Sequence, residues 1–177
     1  SLRRPRRHPL FYPFPSHFPP RPLARSRFAP SAHFPLFSPF AARKMSENET
    51  LAKAAKDYPD WTKLVVFDEK GSVVHSSFKA DEGELKSFLS AFDDRSQTIG
   101  KGFVLDKDHY EVHRWTETLA YGRRGKPGNC QGICLHKVKK EDGKVLYAVV
   151  TWGGYATSAR IVPELQEFCQ KNVVTMT

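Results

Sequence analysis

The chain has 177 residues, enough for one domain with an extension and short of two full domains. Its net charge of +9 sits in residues 1–44, where eight Arg and one Lys meet no Asp or Glu; residues 45–177 hold 19 basic and 19 acidic side chains and are neutral. The charge therefore belongs to the extension, which removes any whole-protein argument for a nucleic-acid partner.

Residues 1–44 also hold ten of the thirteen prolines, as in Pro13-Phe14-Pro15 and Pro19-Pro20-Arg21-Pro22, with seven Phe among them. Proline at this density excludes helix and removes sheet donors, so this stretch is expected to be extended, disordered and without a core. The domain is placed at residues 45–177, because Met45-Ser46-Glu47-Asn48 could open a protein while Ser1 does not. Four readings of the extension stand open. A translated upstream or otherwise non-native stretch is favoured over a transit peptide, a regulatory arm with its own proline-rich motif, and a basic arm for acidic membranes or nucleic acid. Cys130, Cys134 and Cys169 are odd in number and form no C-x-x-C pair, which predicts reduced, partly buried thiols. No apolar run approaches the ~20 residues that span a bilayer.

In chain order, residues 50–57 (TLAKAAKD) predict a short helix stopped before Pro59. Residues 63–67 and 72–77 are β-branched runs around Asp68-Glu69-Lys70-Gly71, a hairpin. Residues 81–92 place Leu85, Phe88, Leu89 and Phe92 on one helical stripe, with Asp81 as its cap. Strands are predicted at 102–105, 110–114, 131–138 and Val145–Trp152, with a weaker one near 116–121. Asp106-Lys107-Asp108 and Glu141-Asp142-Gly143-Lys144 are their turns. Residues 156–172 end the chain as a helix with Ile161, Leu165, Phe168 and Cys169 on one face, and Pro163 in its first or second turn. Hairpin-linked strands make the sheet antiparallel, and helices must cover it. The fold class is α+β, an antiparallel sheet of about six or seven strands with helices on its faces.

This order of elements resembles the profilin family. The resemblance is carried by the hairpin Phe67-Asp68-Glu69-Lys70-Gly71-Ser72-Val73, the helix at 85–93, Gly102-Phe103-Val104-Leu105 with Tyr110 and Val112, the basic turn Tyr121-Gly122-Arg123-Arg124-Gly125, and the helix at 156–169. It runs from about Lys63 to Val173 as a colinear series rather than a single motif. It implies a sheet with the N- and C-terminal helices on one face and a helix on the other, in a cytoplasmic, cytoskeletal, non-enzymatic monomer that binds monomeric actin, promotes nucleotide exchange on it, and binds poly-proline and phosphoinositides, with no cofactor. By colinearity Arg114, Arg123, Arg124, Arg160 and Glu164 fall on the family's actin face, with His109 and Glu111 beside it. Solvated strand and helix faces are the alternative. Arg123, Arg124 and Lys126 are the implied phosphoinositide contacts.

The chain departs from the family at the poly-proline site. Residues 45–57 hold no aromatic, Val74 stands where the family often has Trp, and residues 172–177 hold no Tyr. Because stacked aromatics grip a polyproline-II ligand, weak or absent binding is expected. Of the last helix's aromatics Phe168 remains; Tyr58 and Trp61, just after the first helix, either substitute for the missing rings or serve as core anchors, and core is the favoured reading.

His109 and His113 lie on a predicted strand, about 13 Å apart at ~3.3 Å per residue, so no metal pair is expected. Residues 122–132 (GRRGKPGNCQG) are glycine-rich and basic but lack the Gly-Lys-Ser/Thr ending of a phosphate loop. Cys130 and Cys134 alternate with Gly132 on a predicted strand. No nucleophile–base pair stands out, and catalysis is not expected. The rivals are an adaptor or sensor domain of similar α+β shape with an enclosed apolar pocket, and a phosphoinositide or membrane-surface binder that uses Arg123, Arg124, Lys126 and the basic extension.

Overall fold

The structure is a computed structural model that describes residues 39–126 and 129–176, with side chains from residue 47 onward. Most of the proline-rich extension, and the expectation made for it, thus lies outside the described residues. The chain runs α1 (Pro39–Ala54, closing in a 3-10 turn, Ala55–Asp57), β1 (Trp61–Asp68), β2 (Val73–Ser76), α2 (Glu82–Leu89, with a further turn Ser90–Phe92), α3 (Arg95–Lys101), β3 (Phe103–Leu105), β4 (Asp108–Trp115), β5 (Leu119–Arg124), β6 (Gln131–Lys139), β7 (Val145–Trp152) and α4 (Ser158–Phe168, continuing as a wider turn, Cys169–Val173).

All seven strands join one antiparallel sheet in the order β2-β1-β7-β6-β5-β4-β3. The sheet separates two cores. On one face α1 and α4 cover Leu64, Val66, Cys134, Ala148 and Val150, and contribute Leu51, Ile161, Leu165 and Phe168. On the other, α2 and the turn after it place Leu85, Phe88 and Ala91 against Val65, Phe67, Tyr110, Val112, Ile133 and Val149. The predicted α+β class holds. The expected single helix on the second face becomes two, because residues 95–101 also form a helix.

Two helix boundaries differ from expectation for local reasons. α1 begins at Pro39, so helix occupies residues 39–44, which proline content was expected to exclude. Proline is tolerated at the first helical position, where its missing N–H has no helical partner to lose, and the Ala-Ala-Arg-Lys stretch after it favours helix. α3 is set by its ends instead of its propensity. The Asp94 carboxylate accepts from the Gln97 N–H at 3.0 Å, and the Thr98 hydroxyl donates to the Ala91 carbonyl at 2.8 Å. The predicted Asp81 cap is present, accepting from the Gly83 and Glu84 N–H groups. Pro163 falls in the second turn of α4. At the β3–β4 turn Asp106 and Lys107 both take positive φ, and the Glu84 carboxylate accepts from both of their N–H groups, at 2.6 and 3.0 Å.

The strand sequences now explain which parts of the sheet are covered. Leu64-Val65-Val66-Phe67 and Val145–Trp152 read as unbroken apolar runs because β1 and β7 are buried on both faces. By contrast β4 alternates, with Tyr110 and Val112 buried and His109, Glu111 and His113 exposed. Its outer face therefore lies beyond the cover of α1 and α4.

Acid should weaken this fold in a defined window. His75 on β2 is buried, its ring Nδ1 2.5 Å from Asn48 Oδ1 on α1, and its Nε2 has no partner among the described residues; His136 on β6 likewise leaves Nδ1 buried without one. Burial pushes both imidazoles below the usual histidine range, so the folded chain holds them neutral. The unfolded chain takes up protons first, near pH 6.5, and stability is lost as pH falls through that value towards the folded-state pKa. The slope is at most about 1.4 kcal/mol per pH unit per histidine. Asp94, Asp106 and Asp142, all lowered by hydrogen bonds or a lysine, contribute only further into acid. Urea midpoints should thus fall between pH 7 and pH 5, and His75→Gln should flatten the fall; an unchanged midpoint over that range would refute the assignment.

Candidate functional site

The exposed end of the sheet is organised by strand register. Glu111 on β4 lies opposite Arg123 on β5, Arg123 opposite Gly132 on β6, Gly132 opposite Trp152 on β7, and Trp152 opposite Trp61 on β1. The row lies on the face that α1 and α4 share. Tyr121 and Leu119, on the same side of β5 as Arg123, pack with that core, whereas Ala120 faces the other. A side chain at Gly132 would collide with the Trp152 ring, its β-carbon meeting ring atoms at 2.1 Å. The indole thus lies over Gly132 on β6, the residue paired with Arg123. Arg123, Glu111 and Arg114 are exposed and make no ion pair among the described residues. His109 shares the surface, its Nε2 2.8 Å from the Lys101 carbonyl.

The residues expected to act together do not all do so. Alternation turns Arg124 to the opposite face, where it pairs with Asp108 at 2.5 Å, donates to Gln131 Oε1 at 2.7 Å, and stands over the Tyr110 ring. Adjacent arginines on a strand point in opposite directions, which corrects the placement of Arg124 on the same surface as Arg123. Lys126 is exposed in the loop after β5, whose residues 127 and 128 lie outside the described residues. Arg160 in the first turn of α4 forms ion pairs with Asp60 and Glu164 beside Trp61, towards the β1 end of the row. The Glu111–Arg123 surface and the Arg160–Glu164 pair therefore lie on opposite sides of Trp152.

Tyr58, Trp61 and Phe168 do come together. The Tyr58 and Trp61 rings stack at 4.3 Å with planes 13° apart, and both meet Phe168 edge-on, at 5.8 and 5.3 Å. Phe168 is fully buried, whereas Tyr58 and Trp61, for which a core role was favoured, are half-buried and keep part of their surface exposed. The Trp61 indole N–H is buried without an acceptor among the described residues. Burial, with the carboxylates of Glu167, Asp57 and Glu164, pushes the Tyr58 hydroxyl up, while Lys171 opposes.

One surface residue escaped the sequence reading. Tyr155, between β7 and α4, is fully exposed, and Gly153 and Gly154 before it give it no shelter, with Gly154 at φ +65°. The signal was a tyrosine directly after Gly-Gly between a strand and a helix. Its loop leaves β7 next to Gln131, beside the Arg123 row. His109 and His113 both lie on β4, four positions apart on a strand, as expected. Cys130 precedes β6 instead of alternating along it with Cys134, and its thiol donates to the Lys126 carbonyl. Cys134 and Cys169 are buried free thiols, and burial pushes both up.

A seven-stranded antiparallel sheet, helix-covered on both faces and open at one end, defines a small α+β module with an exposed, charged sheet surface. The family model for profilin matches residues 47–146, and the chain belongs to the profilin family. Profilin-1 of Caenorhabditis elegans is 41% identical over 51 residues, 29% of this chain and 39% of that protein, and profilin-2 of the same organism is 38% identical over 53 residues, 30% and 40%. These alignments span about two fifths of the relatives' length. Among solved structures, Acanthamoeba castellanii profilin IA superposes with a TM-score of 0.59 at 16% identity, covering 72% of this chain and 95% of that one. LokiProfilin1, solved in complex with rabbit actin, gives 0.56 at 10% identity, covering 75% and 97%.

Proposed function

We propose that the chain binds monomeric actin through the outer face of β4 and β5, with Glu111, Arg114, Arg123 and His109 as the sheet contacts and Tyr155 as an apolar anchor beside them. The observation that carries this reading is the Glu111–Arg123 row, which is charged and exposed, in contrast to β7 and the middle of β1, which are buried on both faces. Membership of the profilin family and the actin complex of LokiProfilin1 support the choice of partner. Basic groups suit an acidic partner by raising the association rate, and a rim tyrosine adds contact area at low entropic cost. Arg160 and Glu164 extend the surface past Trp152. Binding of this kind acts by mass action on the free monomer pool and needs no bond chemistry. Acceleration of nucleotide exchange, and phosphoinositide contact through Arg123 and Lys126, are expectations of the same reading.

Calorimetry of the full chain against latrunculin-blocked monomeric actin tests it. Micromolar or tighter binding is expected. Arg123→Glu should weaken it tenfold or more, about 1.4 kcal/mol, whereas Arg124→Glu, on the other face, should leave it within about twofold. No binding at high micromolar actin would sink the proposal, and an adaptor role would replace it.

A second reading is supported by the Tyr58–Trp61 stack. A partly exposed pair of parallel rings on a buried phenylalanine floor is the kind of surface on which a polyproline-II segment lies. We infer weak binding of proline-rich segments there, from rings that follow α1, Tyr58 in the turn and Trp61 at the start of β1, instead of within the helix.

A further inference from the structure

We propose that the Tyr58–Trp61 surface selects proline-rich segments that carry arginine or lysine among their prolines over uncharged polyproline. This rests on the reading of that surface as proline-binding and adds a charge preference to it.

Four carboxylates ring the stack. Asp57 ends the turn before Tyr58, Asp60 directly precedes Trp61, and Glu164 and Glu167 rise from the side of α4 that faces them. Asp57 and Asp60 adjoin the two rings in sequence, Arg160 links Asp60 to Glu164, and Glu167 directly precedes Phe168, which both rings meet edge-on. Added to burial, the carboxylates of Glu167, Asp57 and Glu164 help push the Tyr58 hydroxyl up. Arg160 and Lys171 offset two of the four charges, and Lys56 stands on the preceding turn. The rim stays negative after all three are counted. Its ion pairs are exposed, with Arg160 and Lys171 side chains 52% and 64% accessible. Pairs of that kind contribute little and exchange readily, so an incoming guanidinium can replace a resident one while its prolines cover the rings. A polyproline helix can cover the stacked rings while a basic side chain among its prolines meets the negative rim, so the favoured ligand is a basic proline-rich one.

The test is calorimetric titration of the full chain with three peptides. The first copies residues 13–27 of this chain, PFPSHFPPRPLARSR, which places three Arg beside its prolines. The second replaces those Arg with Gln, and the third is decaproline. The arginine peptide should bind about fivefold tighter than its Gln counterpart at low salt, and that advantage should shrink at ~0.5 M NaCl, where the Debye length falls to a few Å. The isosteric surface variant Asp57→Asn with Glu167→Gln should remove the advantage while decaproline affinity holds. Equal affinity of the first two peptides, or an advantage that survives both salt and the double variant, would overturn the charge preference and leave proline binding intact. If no peptide binds, the proline-binding reading itself fails and this inference with it.

Discussion

Replacing Gly122 with alanine is expected to lower stability by about 4 kcal/mol or to prevent folding. A β-carbon built there lies 1.8 Å from the Glu111 carbonyl oxygen, 2.7 Å from the carbon that bears it, and 2.8 Å from Val112 Cα. All three are backbone atoms of the neighbouring strand. No rotamer change relieves the clash, so β4 and β5 must separate. The β4–β5 register shifts between Val112 and Arg114, and Gly122 is the residue opposite Val112. The close approach thus belongs to a bulge, where the chain bends and backbones crowd. Equilibrium urea unfolding measures the loss. Gly100→Ala in α3 is the control, since nothing lies within 4 Å of its β-carbon and alanine is the better helix former. A Gly122→Ala protein as stable as the parent would mean that the bulge is not as described.

Phe168→Ala should cost about 4 kcal/mol and disorder a surface it does not itself expose. Phe168 is fully buried between α4 and the sheet, and its ring is the floor on which Tyr58 and Trp61 stand edge-on. Truncation leaves a cavity beneath the stacked pair. Two readouts should move together: the urea midpoint, and the near-ultraviolet dichroism of the stacked rings. Proline-peptide binding should then be lost at concentrations where the variant remains folded. A variant that loses stability yet keeps the ring signal would show that the stack is held by β1 alone.

Much of the fold was legible in the sequence because burial leaves a pattern. Unbroken Leu64-Val65-Val66-Phe67 and alternating Tyr110-Glu111-Val112-His113 distinguish a strand covered on both faces from one covered on one, and that contrast locates the open surface. α3 was not legible. Ser96, Thr98 and Gly100 are weak helix formers, and the helix persists through the Asp94 cap and the buried Thr98 hydroxyl, contacts that exist only after folding. The site was legible by residue type and not by direction. Arg123 and Arg124 are indistinguishable as letters, and strand register sends one to the surface row and the other into an ion pair with Asp108. Tyr58 and Trp61 were visible as candidates, but their stacking depends on Phe168, more than a hundred residues later.

The position of β5 between β4 and β6 has a thermodynamic consequence for whatever docks on the Glu111–Arg123 row. Its backbone is hydrogen-bonded on both sides, and Trp152 lies across the adjoining strand, so the main chain of the contact surface is already ordered before a partner arrives. What remains to be immobilised is mainly the long side chains of Arg114 and Arg123, at a cost of about 0.5–1.5 kcal/mol each. Association then spends little of its free energy on preorganisation, and the affinity reflects chiefly the fit of the partner's own surface.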